Sequence, residues 1–173
     1  MKKILALTII MSTFLFSTMA FAHGTESHVK KKADKRPDAK YAWKVNWLSL
    51  DEGIKKSMAE GKPMLIDFAT HEGCDRCEYL QKHVYSKDKI VNKINKSFIP
   101  IFIDLSKDLS PDEQALGEKH EYHEDCLLLF LDHKKEPIFD AEENKMCFAD
   151  TVEPDIYMRY LDYIIDLYSK KSL

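Results

Sequence analysis

"DFATHEGCDRCEYLQ", residues 67–81, runs from the end of an apolar segment, through two cysteines three apart, into a stretch with helical spacing. Upstream, "MLIDFAT" (64–70) is a short apolar run of strand length. Downstream, "CEYLQKHVY" (77–85) sets Leu80 and Val84 four apart, on one face of a helix. Cys74 therefore falls where a strand gives way to a helix, and Cys77 lies one turn inside it. The free N–H groups and positive dipole end of a helix favour a thiolate at such a place. Two cysteines one turn apart are near enough to close a disulfide. A reactive first cysteine and a more buried second one make a dithiol–disulfide switch, in which Cys74 attacks a substrate disulfide and Cys77 resolves the mixed disulfide.

Other chemistries fit the motif less well. Covalent haem attachment needs a histidine after the second cysteine, and that position holds Glu78. Zinc needs four ligands. His71, Cys74, Cys77 and His83 offer a set, but no second cysteine pair has the same spacing, so no metal is expected. A purely structural staple remains open, although a pair this close in sequence restrains little chain. Between the cysteines, Arg76 favours a thiolate, while Asp75 and nearby Glu72 oppose it. Asp67 falls inside the apolar run, where loss of water raises a carboxyl pKa. Such a group can take the proton of Cys77 during resolution; the plainer reading is a strand-end aspartate facing water.

The first residues, "MKKILALTIIMSTFLFSTMAFA", carry two lysines, an apolar run and Ala20-Phe21-Ala22, the pattern of a cleaved secretory signal peptide over 1–22. The run is short for a membrane anchor and no later one is long enough to span a bilayer, so no stable membrane insertion is expected after cleavage. Residues 23–40 are polar and lysine-rich, without apolar period, and read as a flexible linker. His23 and His28 in such a tail make a poor metal site. The remainder, 41–173, is expected to form one domain. The 173-residue chain is 45% hydrophobic and 32% charged, which suits a soluble domain with a modest core. Its net charge of −3 becomes more negative once the leader's lysines are lost, which argues against a nucleic-acid partner. All four cysteines, Cys74, Cys77, Cys126 and Cys147, follow the leader. An even number in an oxidising compartment favours disulfide chemistry. The leader points to a bacterial periplasm, with secretion as the other possibility.

Along the domain, Ser49 or Asp51 can cap a helix that carries Ile54 and Met58 on one face and ends at Gly61-Lys62-Pro63. "DKIVNKINKSF" (88–98) gathers Ile90, Val91, Ile94 and Phe98 on one side. "IPIFIDL" (99–105) and "CLLLFLD" (126–132) are further buried strands. Between them Ser110 caps a helix with Pro111 at its first position. "HKKE" (133–136) reads as a turn, with "PIFDA" (137–141) pairing back across it. The closing helix over 153–170 carries a stripe of Ile156, Tyr160, Tyr163, Ile164 and Leu167. Apolar strands separated by helices indicate an α/β fold with a partly parallel sheet. His120 and His123, in "HEYHED", are three apart and read as surface histidines before metal ligands.

Four stretches carry a resemblance: "GKPMLIDFAT", "CDRC", "YSKDKIVNKINKSFIPIFIDLS" and "LLLFLD". Over residues 43–169 the chain resembles the thioredoxin superfamily, and is most similar to the exported branch that includes the C-terminal domain of the transmembrane reductant DsbD. The resemblance implies a thioredoxin fold, with a central mixed β-sheet flanked by helices. It makes Cys74 the nucleophile, Cys77 the resolving cysteine and Asp67 the family's buried acid. Three positions depart from the family pattern. Gly73 stands where an aromatic usually precedes the first cysteine. Asp125 stands at the position of a cis-proline that guides substrate backbone, so Asp125, with Arg76, belongs to the expected substrate face. Cys147 stands where a glycine is usual. Cys126 and Cys147 occupy neighbouring positions of that fold, which suggests a second disulfide. It would close a loop of about 20 residues and add on the order of 3 kcal/mol. Two separate buried thiols, or a relay to Cys74 and Cys77, are the other options.

The resulting expectation is a periplasmic thiol–disulfide oxidoreductase. It would reduce protein disulfides, draw electrons from a membrane thiol donor and use no cofactor. The alternative is a non-enzymatic module of the same fold that binds a metal or a protein and keeps its cysteines for structure. Asp125 in place of proline is the feature that favours it.

Overall fold

The computed structural model describes residues 44–70, 73–122 and 127–171. The expected signal peptide and linker lie outside these residues, as do His71, His123, Asp125 and Cys126. Among the described residues a four-stranded sheet has the order β2-β1-β3-β4. Its strands are β1 (Met64–Ala69), β2 (Ile99–Asp104), β3 (Leu128–Leu131) and β4 (Cys147–Phe148). β1 runs parallel to β2 and antiparallel to β3, which in turn pairs antiparallel with β4. The mixed sheet expected from the sequence is therefore present, and helices cover both of its faces.

Strand periodicity decides what each face holds. Met64, Ile66 and Phe68 of β1 join Ile99, Ile101 and Ile103 of β2 and Leu129 and Leu131 of β3 in one core. Helix α1 (Leu50–Glu60) covers this side with Leu50 and Ile54, and α4 (Pro111–Lys119) with Leu116. Leu65 and, by the same alternation, Asp67 and Ala69 face the other way. There Leu65, Leu128 and Phe130 meet α3 (Asp88–Ser97) and α5 (Pro154–Lys171) through Ile90, Val91, Ile94, Tyr157, Leu161 and Ile164. All of β1 is buried because both faces are covered, which is why its sequence reads as a continuous apolar run with one aspartate in it.

The helix ends follow their sequence signals. Ser49 caps α1 by accepting the Glu52 N–H, and Gly61 ends it at φ 61°. Ser110 and Glu113 form a reciprocal capping box at α4, with Pro111 as its first residue. Gly53 allows α1 to lie close on β2, for a Cβ there would overlap the Ile101 side chain.

Some expectations on element detail change. Residues 137–141 make only isolated bridges, Leu131 to Pro137 and Phe139 to Lys145. The strand that completes the edge is the two-residue β4, which contains Cys147. In α5 the buried positions are Tyr157, Leu161 and Ile164, whereas Ile156 and Tyr163 are exposed. That helix has apolar residues on several faces, and packing selects a stripe rotated from the expected one. Met58 of α1 is likewise exposed; the buried positions there are Leu50, Gly53 and Ser57. No helix among the described residues is long and apolar enough to cross a membrane.

Candidate functional site

β1 ends at Ala69, and the chain enters helix α2 (Asp75–Tyr79) through Gly73 and Cys74. Gly73 has φ 69°, a left-handed conformation that glycine adopts without steric cost. Nothing lies within 4 Å of where its Cβ would be, so the backbone alone sets the requirement. Cys74 is the N-cap of α2, and its Sγ accepts the N–H of Cys77 at 3.1 Å. The two cysteines form a disulfide with their Cα atoms 5.2 Å apart. Cys74 is half-buried and Cys77 is buried. Cys77 packs with Ala69 of β1 and Phe102 of β2, and Trp47 closes the same small cluster. One sulfur is thus more open to an incoming group, while the other is held against the sheet.

Asp67 is on the Cys77 side of β1, two residues before Ala69. It is only 1% exposed. Its carboxylate is held by side chains from above. Arg76 donates to Oδ1 from Nη2 at 2.9 Å and from Nη1 at 3.3 Å. The Tyr85 hydroxyl donates to Oδ2 at 2.9 Å. Arg76 Nη2 also donates to the Phe68 carbonyl at 3.2 Å, which fixes the guanidinium over two successive residues of the strand. Burial raises the Asp67 pKa above its ordinary value of 3.8, against the opposing pull of Arg76 and the Tyr85 hydrogen bond. The Tyr85 hydroxyl is pushed well up, first by burial and then by the negative charge of Asp67.

Arg76, expected on the substrate face, is turned inward: its side chain is 8% exposed and lies down onto Asp67. The physical reason is charge. A carboxylate buried within an apolar strand needs a partner, and Arg76, adjacent to the inward-facing Cys77, is close enough to supply one. Asp75 is the exposed member of the inter-cysteine pair.

Tyr85 reaches the site through a change of helical pitch. After α2 the chain makes a π-helical turn, Leu80–Val84, and the Tyr85 N–H donates to the Leu80 carbonyl at 2.7 Å. This spacing of five lets Leu80, Val84 and Tyr85 all face inward. Trp47 stands edge-on to both Tyr85 and Phe102, at centroid distances of 5.4 and 6.0 Å. The sequence reading did not assign Tyr85 or Trp47 to the site. Their signal was an aromatic at each end of elements that must converge on the one polar residue of β1.

The remaining expected site residues divide. Cys147 is disulfide-bonded and sits in β4 opposite Leu129 of β3. Asp125 and Cys126 lie outside the described residues. Among the described residues no peptide bond is cis, and no three His, Cys, Asp or Glu side chains converge as metal ligands do. A groove of about 380 Å³ between α1 and α4 is lined by Leu50, Ile54, Glu113, Leu116 and Lys119 among others, and holds none of the groups above.

Residues 46–132 match a family model described as thioredoxin-like. No curated protein matches the chain. Among solved structures, a protein titled DsbH oxidoreductase superposes with a TM-score of 0.53 at 19% identity, over 71% of this chain and 85% of the other. A thioredoxin from Thermus thermophilus gives 0.52 at 14% identity, over 70% and 87%. The reduced DsbD C-terminal domain from Neisseria meningitidis gives 0.49 at 15% identity, over 66% and 92%.

Proposed function

The chain belongs to the thioredoxin-like family, and from that premise we propose that it is a thiol–disulfide oxidoreductase that reduces protein disulfides through Cys74 and Cys77. The observation that carries this reading is the Cys74–Cys77 pair itself, at the start of a helix, with its second cysteine clustered with Ala69 and Phe102 on the side of the sheet where β1 carries a buried, charge-paired aspartate. In the reduced protein the Cys74 thiolate attacks one sulfur of the substrate disulfide, and the other substrate sulfur leaves as a thiolate. Cys77 then attacks Cys74 in the mixed disulfide. The Cys74–Cys77 bond forms, the bond to substrate breaks, and the substrate has gained two electrons. Asp67 is the proton acceptor for Cys77, in keeping with its raised proton affinity. The Cys77 N–H stabilises the attacking sulfur.

The same reading places the protein in the periplasm after loss of residues 1–22, with 23–40 as a linker and 41–173 as the working domain. A membrane thiol carrier would restore the dithiol. It pairs Cys126 with Cys147, which the disulfide-bonded state of Cys147 supports. Reduction of insulin disulfides by the pre-reduced protein tests the central claim. Cys74→Ala should lose at least a thousandfold in rate, and a variant that kept full activity would sink the enzyme reading.

A further inference from the structure

Resting on that reading, we propose that Arg76 is a positioning residue for the resolving step: it holds Oδ1 of Asp67 so that the Cys77 proton is received at Oδ2. Each carboxylate oxygen has room for about two hydrogen bonds. Oδ1 has both places filled by the two Arg76 nitrogens, whereas among the described residues Oδ2 has one donor, the Tyr85 hydroxyl. Oδ2 is therefore the oxygen with the capacity to take a further hydrogen. Asp67 and Ala69 share a face of β1, one strand repeat or about 7 Å apart, and Cys77 packs on Ala69. A single water molecule would carry the proton across the remaining gap from the cysteine.

The step balances without any further reagent. In the mixed disulfide the Cys77 thiol gives its proton to Oδ2. Its electron pair forms the bond to Cys74, and the Cys74–substrate pair departs on the substrate sulfur. The guanidinium acts only through Asp67, which must be ionised to accept the proton. The groups facing that carboxylate are Arg76 from α2, Tyr85 beyond the π turn and Tyr157 from α5; β2 and β3 present Phe102 and Leu128. Among these Arg76 is the cation, and Tyr85 is a neutral donor. With Arg76 removed, Asp67 holds its proton to higher pH, and resolution should need a more alkaline solution.

The test is single-turnover reduction of glutathione disulfide by the pre-reduced protein between pH 5 and pH 10, following the decay of the mixed disulfide by mass. In Arg76→Met the inflection of the resolving step should move to higher pH. The rate should fall roughly tenfold or more on the acid side, as loss of one close opposite charge implies, and recover at the alkaline end. Arg76→Lys should restore most of the loss. A rate lowered by one factor at every pH, or an unchanged profile, overturns the proposal. If Arg76→Met fails to fold by circular dichroism, Tyr85→Phe carries the same test, since it removes the donor to Oδ2 and should move the inflection the same way by less. An unmoved profile in Tyr85→Phe then counts against the proposal. A wild-type protein that reduces nothing at any pH overturns the function proposed above, and this inference with it.

Discussion

Asp67→Asn offers a direct reading of which force governs the buried carboxylate. Two effects compete in the folded protein. Burial favours the neutral acid, while Arg76 at 2.9 Å and the Tyr85 hydroxyl at 2.9 Å favour the carboxylate. Burial wins, so the folded pKa lies above the ordinary 3.8. Between these two values the folded chain holds a proton that the unfolded chain has released. Stability is therefore fully present below 3.8 and is lost as pH rises through the folded value, by up to about 1.4 kcal/mol per pH unit for one proton. Asparagine cannot titrate. The stability of Asp67→Asn minus that of wild type should grow with pH inside this window at up to that slope, and be flat on either side. Replacing the carboxyl also adds a constant offset against the variant, read at the acid end, where Asp67 is neutral in wild type; the pH-dependent part of its pairing with Arg76 is already contained in the folded pKa. Asp88, Asp132 and Asp140, whose folded pKa values are lowered, give the opposite trend in both proteins and cancel. Urea unfolding of the oxidised proteins from pH 3 to pH 8, followed by far-UV circular dichroism, measures the difference. A flat difference refutes the argument. A difference that shrinks as pH rises refutes it more fully, because it means that Arg76 and Tyr85 outweigh burial.

Two glycines make separate predictions. Gly73→Ala must hold a left-handed φ of 69° with a side chain, at about 1–2 kcal/mol. Since nothing crowds its Cβ, Gly73→Asn should cost clearly less, and equal urea midpoints for the two variants would show that φ is not what matters. Gly53→Ala gains about 1 kcal/mol in helix propensity but drives a Cβ into Ile101, an overpacking that typically costs roughly 1–3 kcal/mol. The net effect should be destabilising and partly relieved by Ile101→Val; a single variant that unfolds at higher urea than wild type contradicts the close approach of α1 to β2.

Much of this architecture is written in local signals. β1, β2 and β3 are apolar runs because both of their faces are covered, and no partner need be known to see them. Ser110, Pro111 and Glu113 announce the start of α4 by the hydrogen bonds they make within one turn. Features that depend on distant packing were not legible. β4 is two residues long and has no alternation to read. The stripe of α5 is ambiguous because Ile156, Tyr157, Tyr160, Leu161, Tyr163 and Ile164 encircle it, and only the sheet chooses among them. The π turn breaks the period by which a helix face is recognised, and so hid Tyr85. Arg76 could have been found from charge. Arg36, Arg76 and Arg159 are the arginines of the chain, and a lone aspartate inside a buried strand calls for a cation from an element that packs over it.

The inward turn of Arg76 also changes what stabilises the reactive sulfur. A cation projecting outward between the cysteines would act on the Cys74 thiolate directly. Here the guanidinium charge is matched by Asp67 below, and Glu78 is paired with Lys82 at 2.5 Å. The exposed charge between the cysteines is Asp75, which opposes a thiolate. What favours it is the backbone, through the Cys77 N–H directed at the Cys74 sulfur at 3.1 Å. On the function proposed above, the two halves of the exchange are served by different groups: the helix start prepares Cys74 for attack, and the Asp67–Arg76–Tyr85 cluster governs the proton of Cys77. Substitutions at Asp75 should then alter the first step and leave the pH dependence of the second unmoved, while substitutions at Arg76 do the reverse. The proposed mechanism thus divides the dipeptide between the cysteines between the two steps, because Asp75 faces water and Arg76 faces the core.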